Sequence, residues 1–119
     1  MLDHLEIQTR VLTQTVEFYR TILAPLGYQQ KVDRPAIGFG DETRLDMFIR
    51  EGEPSSNVHY AFEAGTRQLV DEVYECARVA GLTLDRPPAL APHVHPNYYA
   101  GYMRDPDGRL VEIVCHQAE

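Results

Sequence analysis

The sequence predicts an α+β fold made of two βαβββ modules whose small mixed sheets close into a cup. Three observations carry that expectation. An alternating apolar pattern gives way to helical spacing near the start of the chain, and the same switch recurs in the second half. A polar segment with Gly and Pro, GEPSSN at 52–57, divides the halves. Chemically similar residues then sit at equal offsets in each half, which marks an internal repeat.

Residues 3–9 (DHLEIQT) alternate polar and apolar as a half-buried strand does. Over 13–24 the apolar residues Val16, Tyr19, Ile22 and Leu23 fall at helical spacing. Thr13 is placed to cap that helix, and Pro25 and Gly27 close it. Strands are expected at 28–32, 36–39 and 45–50. After the linker, 57–63 (NVHYAFE) alternates again. Residues 67–80 then form a helix with Leu69, Val70, Val73, Ala77 and Ala80 on one stripe, Thr66 as cap and Gly81 just past the end. Strands at 82–85, 98–103 and 109–116 complete the second half. DPDG at 105–108 has the residues of a type I turn leading into the last strand. The chain therefore reads as a single domain, 1–119, of two modules at about 1–52 and 57–119.

His4 and His59 stand 59 − 4 = 55 residues apart at the same place in the repeat, and Tyr19 and Tyr74 each follow their histidine by 15. Strand alternation puts Leu5 and Ile7 on one face and His4, Glu6 and Gln8 on the other. It separates Val58, Tyr60 and Phe62 from His59 and Ala61, and Val111, Ile113 and Cys115 from Glu112 and Val114. If the helices cover the apolar faces, His4, His59 and Glu112 share the far side. Two imidazoles and a carboxylate there form a facial triad that suits a divalent ion of Zn, Fe, Mn or Ni and leaves positions open for substrate. Taken singly, each of these residues reads as an ordinary surface side chain. Phase and repeat position together favour a metal site.

The net charge of −7 argues against nucleic acid and anionic membrane surfaces as partners. No apolar run is long enough to span a bilayer, and the opening residues lack a signal-peptide pattern, so a cytoplasmic location is expected. Cys76 and Cys115 are expected to be unbonded thiols.

The motifs HLEI at the start, EFYRTILAPLGY in the first helix, HYAF opening the second half and DPDGRLVEIV at the end resemble the vicinal oxygen chelate superfamily. That superfamily includes glyoxalase I, extradiol dioxygenases, fosfomycin-resistance enzymes and bleomycin-binding proteins. The resemblance implies a glyoxalase/bleomycin-resistance/dioxygenase-like fold with His4, His59 and Glu112 as metal ligands. Glyoxalase I has a fourth ligand, a glutamate on the last strand of the first half. Matching Leu45 to Leu110 puts Met47 opposite Glu112, with Asp46 turned toward the helix, so a set of three ligands is expected and glyoxalase I activity is put in doubt.

Residues 86–99 read as a Pro-rich loop. Its His93, His95, Tyr98 and Tyr99 either border the substrate pocket, where they serve as hydrogen-bonding or acid–base groups, or belong to a rigid loop facing solvent. Tyr98 and Tyr99 point to opposite faces once the strand begins, so at most one reaches the cavity. His116 shares the phase of Glu112 but reads as solvated. The resulting candidates for catalysis are Glu112, Tyr98 and His95. Two functions compete: a metal-dependent lyase, isomerase or dioxygenase acting on a small molecule, or a metal-free protein that sequesters one, as bleomycin-resistance proteins do. The open sheet edges and cavity faces predict a homodimer.

Overall fold

The computed structural model describes residues 2–33 and 36–118. The first module runs β1 (Leu5–Thr9), α1 (Leu12–Leu23), a turn of 3-10 helix (Ala24–Leu26), β2 (Gln29–Val32), β3 (Ile37–Gly40) and β4 (Leu45–Glu51). The second runs β5 (His59–Glu63), α2 (Arg67–Val79), β6 (Thr83–Leu90), β7 (Tyr99–Arg104) and β8 (Leu110–Cys115). Each module forms a four-stranded mixed sheet. The first, sheet A, has the order β1-β4-β3-β2 and the second, sheet B, the order β5-β8-β7-β6. The α+β plan and the repeat are therefore present. In both sheets the first and last strands pair in parallel, and the remaining pairs are antiparallel.

The helices lie between the sheets. α1 buries Val16, Phe18, Tyr19, Ile22 and Leu23, and α2 buries Val70, Val73 and Ala77. These meet Ile7, Met47, Ile49, Met103, Val111 and Ile113 from the strands in one cluster. Burying a side chain of this size contributes roughly 1.5–3 kcal/mol, so the shared cluster contributes to keeping two small sheets together. Both sheets thus turn their apolar faces inward to the helices and their other faces outward.

α2 begins as expected, with the Thr66 hydroxyl accepting from the Leu69 N–H at 3.1 Å. α1 does not. It starts at Leu12 with Val11 in the cap position and no side-chain cap. Thr13 is inside the helix, and the Thr9 hydroxyl accepts from the Val11 N–H at 3.1 Å instead. Gly27 closes the 3-10 turn after α1 and Gly81 follows the last turn of α2, at φ of 86° and 76°, where a side chain would be strained. The Leu82 N–H closes α2 on the Ala77 carbonyl at 3.0 Å.

Two further expectations need correction. The segment after residue 85 is not all loop, because β6 continues to Leu90 through Pro87 and Pro88. It is the edge strand of sheet B, with register shifts around Arg86, and an edge is where a sheet tolerates proline. In sheet A, Phe39 pairs with Met47 but Gly40 pairs with Leu45, which leaves Asp46 as a bulge.

A buried polar network joins the modules. Asp105 accepts from the backbone N–H groups of Asp107 and Arg109, both at 3.0 Å, from the Tyr19 hydroxyl at 2.7 Å, and from the Arg109 guanidinium at 2.8 Å. Arg109 also donates to the carbonyls of Ser55 and Gln8, and the hydroxyls of Tyr19 and Tyr60 share a hydrogen bond. Burial pushes the Tyr60 phenol up to about 12 and the Tyr19 phenol well above its ordinary value, so both stay neutral. Cys76 and Cys115 are free thiols. Among the described residues no helix is long and apolar enough to cross a membrane.

Candidate functional site

The outward face of sheet B carries the densest chemistry. Register sets it out in a row across the strands: Ala61 pairs with Glu112, Glu112 with Tyr102 and Tyr102 with Arg86. Paired residues share a face, so these four lie side by side, with His59 on the same strand face as Ala61. Glu112 is 3% exposed, a low value for a carboxylate, and its oxygens are fully engaged. One oxygen, Oε2, accepts from the Tyr98 hydroxyl and, at 3.3 Å, from the Tyr102 hydroxyl. The other, Oε1, faces His59 Nε2 at 2.9 Å. Burial first, then the hydrogen bond to Glu112, pushes the Tyr98 phenol well above its ordinary range. Burial and the Glu112 charge raise that of Tyr102. Both hydroxyls therefore stay protonated and donate.

His59 Nδ1 lies 3.1 Å from the Leu110 carbonyl oxygen. A carbonyl only accepts, so Nδ1 carries the proton. In a neutral ring, Nε2 then presents a lone pair directly to the Glu112 oxygen. A proton or a cation between the two atoms removes that repulsion. Two ligands at right angles, each about 2.1 Å from one ion, stand about 3.0 Å apart. The observed 2.9 Å is the length of a hydrogen bond from a doubly protonated His59 and equally the spacing of two ligands on a shared divalent ion, and a backbone carbonyl behind the ring is the usual support of a metal-binding histidine.

His4 is elsewhere. It stands exposed on sheet A, its Nδ1 2.8 Å from Asp3 and its ring edge-on to Phe48 at 5.6 Å. It borders an open cleft of about 340 Å³ together with Glu6, Val32, Leu45, Phe48 and Arg50. Among the described residues of one chain, no group of three or more His, Cys, Asp or Glu is arranged to hold a metal ion. The fold thus brings His59 and Glu112 together and leaves His4 on the other sheet.

The register also identifies the first-half counterpart of Glu112. Glu6 pairs with Phe48 as Ala61 pairs with Glu112, so that position holds Phe48, not Met47. Met47 is buried in the core. Asp46, in the bulge, accepts from the Tyr28 hydroxyl at 2.5 Å.

His95 Nε2 and His116 Nδ1 are 2.9 Å apart with stacked rings, so His116 is exposed but partnered. His95 Nδ1 accepts from the Asn97 N–H at 3.1 Å, and its ring meets Tyr98 edge-on. The pair therefore closes the end of the site beyond Tyr98. His93 is exposed. Tyr99 points the other way and donates to Asp71 on α2 at 2.6 Å, as alternation requires. Sequence reasoning missed Tyr102 and Arg86. Tyr102 is in phase with Tyr98, a signal that was available. Arg86 gave none while its segment read as loop.

The chain matches the Glyoxalase/Bleomycin resistance protein/Dioxygenase superfamily over residues 1–113. It belongs to that superfamily. It is 26% identical over 121 residues to a virulence protein of Salmonella typhimurium, covering 94% of this chain and 81% of that one. A glyoxalase/bleomycin resistance protein from Albidiferax ferrireducens T118 shares the fold at a TM-score of 0.80 and 19% identity, covering 98% of this chain and 99% of that one. A lactoylglutathione lyase from Agrobacterium tumefaciens shares it at 0.71 and 17%, covering 97% and 92%. Members of the superfamily bind small-molecule substrates and commonly use a divalent metal.

Proposed function

We propose that the chain is a divalent-metal-dependent enzyme acting on a small molecule that presents two vicinal oxygens, in the manner of the superfamily's lyases, isomerases or dioxygenases. His59 and Glu112 supply two ligands from one chain, and His4 supplies the third from a second copy in a homodimer. The observation that carries the reading is the convergence of His59 Nε2 and Glu112 Oε1, 2.9 Å apart, with the imidazole oriented by the Leu110 carbonyl behind it. His4 supports assembly from two chains, because it lies on the outward face of the other sheet beside an open cleft.

The ion, one of Zn, Fe, Mn or Ni, would act as a Lewis acid for negative charge developing on the chelated oxygens. Tyr98 and Tyr102 hold Oε2 and leave Oε1 for the metal. Tyr98 stays a neutral donor beside Glu112, and His95 with His116 stands behind it as the acid–base pair. Phe48 at the fourth-ligand position disfavours the four-ligand chemistry of glyoxalase I.

The test is the metal content and thermal stability of the parent and His59→Ala, both purified without added metal or chelator. Losing an outer partner of a metal ligand costs roughly 10–100-fold in affinity, and losing the ligand itself costs at least as much. His59→Ala should therefore lose metal by about 100-fold or more and stay folded, since Tyr60 still faces the core. A parent that takes up no divalent metal replaces this reading with the metal-free sequestering protein. Equal binding by both chains breaks the ligand set and makes His93 and His95 the next candidates.

A further inference from the structure

Arg86 sits at the open edge of the site, and nothing described so far uses it. Its guanidinium carbon lies 3.9 Å from the Tyr102 ring centroid, a cation–π stack that fixes the side chain over the residue pointing at Glu112. Its Nε donates to Asp85 at 3.0 Å. Arg104 donates to the same carboxylate at 3.1 Å. Two guanidinium groups therefore share one carboxylate, and these three side chains together carry one positive charge, two strands from the Glu112 carboxylate. Nε is committed to Asp85, while the two terminal nitrogens form the fork that binds carboxylate and phosphate bidentately. Arg86 and Glu112 are two strands apart in one cross-strand row, about 10 Å between backbones, and the long arginine side chain shortens that gap.

We propose that Arg86 forms an anion subsite, and that the substrate is a small oxyacid. Its carboxylate or phosphate group lies three or four bonds from the vicinal oxygens and pairs with the Arg86 fork. This inference rests on the metal-dependent reading for the other end of the substrate, but the anion subsite itself needs no metal.

The experiment has two arms. In the first, the nickel-loaded protein is titrated with succinic acid monohydroxamate and with its neutral amide counterpart, which chelate alike and differ in one distal charge. The carboxylate should bind roughly tenfold or more tighter, as a charge-assisted hydrogen bond allows. Arg86→Gln should bring the ratio to about one, and Arg86→Lys should keep part of it. Equal affinities in the parent, or a preference that survives Arg86→Gln, overturn the subsite. In the second, inorganic phosphate is titrated into the metal-free protein and followed by the ¹⁵N NMR signal of Arg86 Nε. A saturable shift supports the subsite and no shift overturns it. If neither hydroxamate binds while phosphate still moves Arg86, the metal reading fails and the anion subsite stands.

Discussion

The two modules are one plan carried out twice, with the same strand order, the same parallel first–last pairing and glycines after both helices. Their outward faces nevertheless differ. Sheet B has a carboxylate buried among two tyrosine hydroxyls and an imidazole, whereas sheet A has Phe48 at the matching position and an exposed histidine beside it. The turns before the last strands differ in the same sense. Asp41 sits near the surface and serves its own loop, whereas Asp105 is buried and ties the loop to Arg109 and to α1. The apolar faces of both modules meet in one core cluster, so the plan of the core is common to the two. The polar groups around Glu112 lie in the second half, and the network that joins the modules centres there on Asp105 and Arg109, meeting Tyr19 and Gln8 of the first.

Breaking the buried tie should therefore give the largest stability effect. Arg109→Leu keeps most of the volume but leaves the Asp105 carboxylate buried without its guanidinium, and frees the carbonyls of Gln8 and Ser55. Removing one partner of a buried pair costs about 3–5 kcal/mol. For a chain of this size that corresponds to a fall in Tm of about 10–20 °C, measured by calorimetry. A fall of only a few degrees would mean that the apolar cluster alone holds the modules together.

The orienting shell around Glu112 comes next. Tyr98→Phe removes one of the two hydroxyls on Oε2 and leaves the longer one from Tyr102 at 3.3 Å. Metal affinity should drop roughly 10–100-fold with little change in Tm, because the phenyl ring still packs against His95 and His116. On the first module, Tyr28→Phe removes the hydroxyl that donates to Asp46 and should leave metal affinity within a few-fold of the parent. Equal losses in the two variants would erase the asymmetry between the sheets.

Most of this was legible in the sequence wherever local pattern decides the outcome. Alternation placed His4, His59 and Glu112 on outward faces, and helical spacing with Thr66 and Gly81 bounded α2. What was not legible depends on neighbours. The bulge at Asp46 moves the counterpart of Glu112 from Met47 to Phe48, and a one-residue slip reverses every face. Pro87 and Pro88 read as loop because only the sheet order makes β6 an edge. Asp41 and Asp105 have similar local turn chemistry, and their difference in burial comes from α1. The separation of His4 from the other two ligands is a matter of how the modules pack, which strand phase does not encode.

The smallest expected effect tests whether Asp41 does the local half of what Asp105 does. Its Oδ1 accepts from the Thr43 N–H and hydroxyl, both at 2.8 Å, and from the Arg44 N–H at 3.1 Å. These bonds, the Thr43 N–H first, hold its carboxyl below the ordinary carboxylate value. A carboxyl depressed in the folded state binds its proton more readily when unfolded, so its stabilising contribution is present above the unfolded value, near 3.9, and is lost as pH falls through the folded one. Asp41→Ala should therefore lower Tm slightly at pH 7. The gap between parent and variant should stay constant down to about pH 5 and then close as the solution is taken below about pH 4. Solvent screens this site, so the gap should be small beside that of Arg109→Leu. A gap that persists unchanged at pH 3 would show that the turn needs the side chain as a neutral acceptor rather than as a charge. The two aspartates would then share a geometry without sharing its electrostatics.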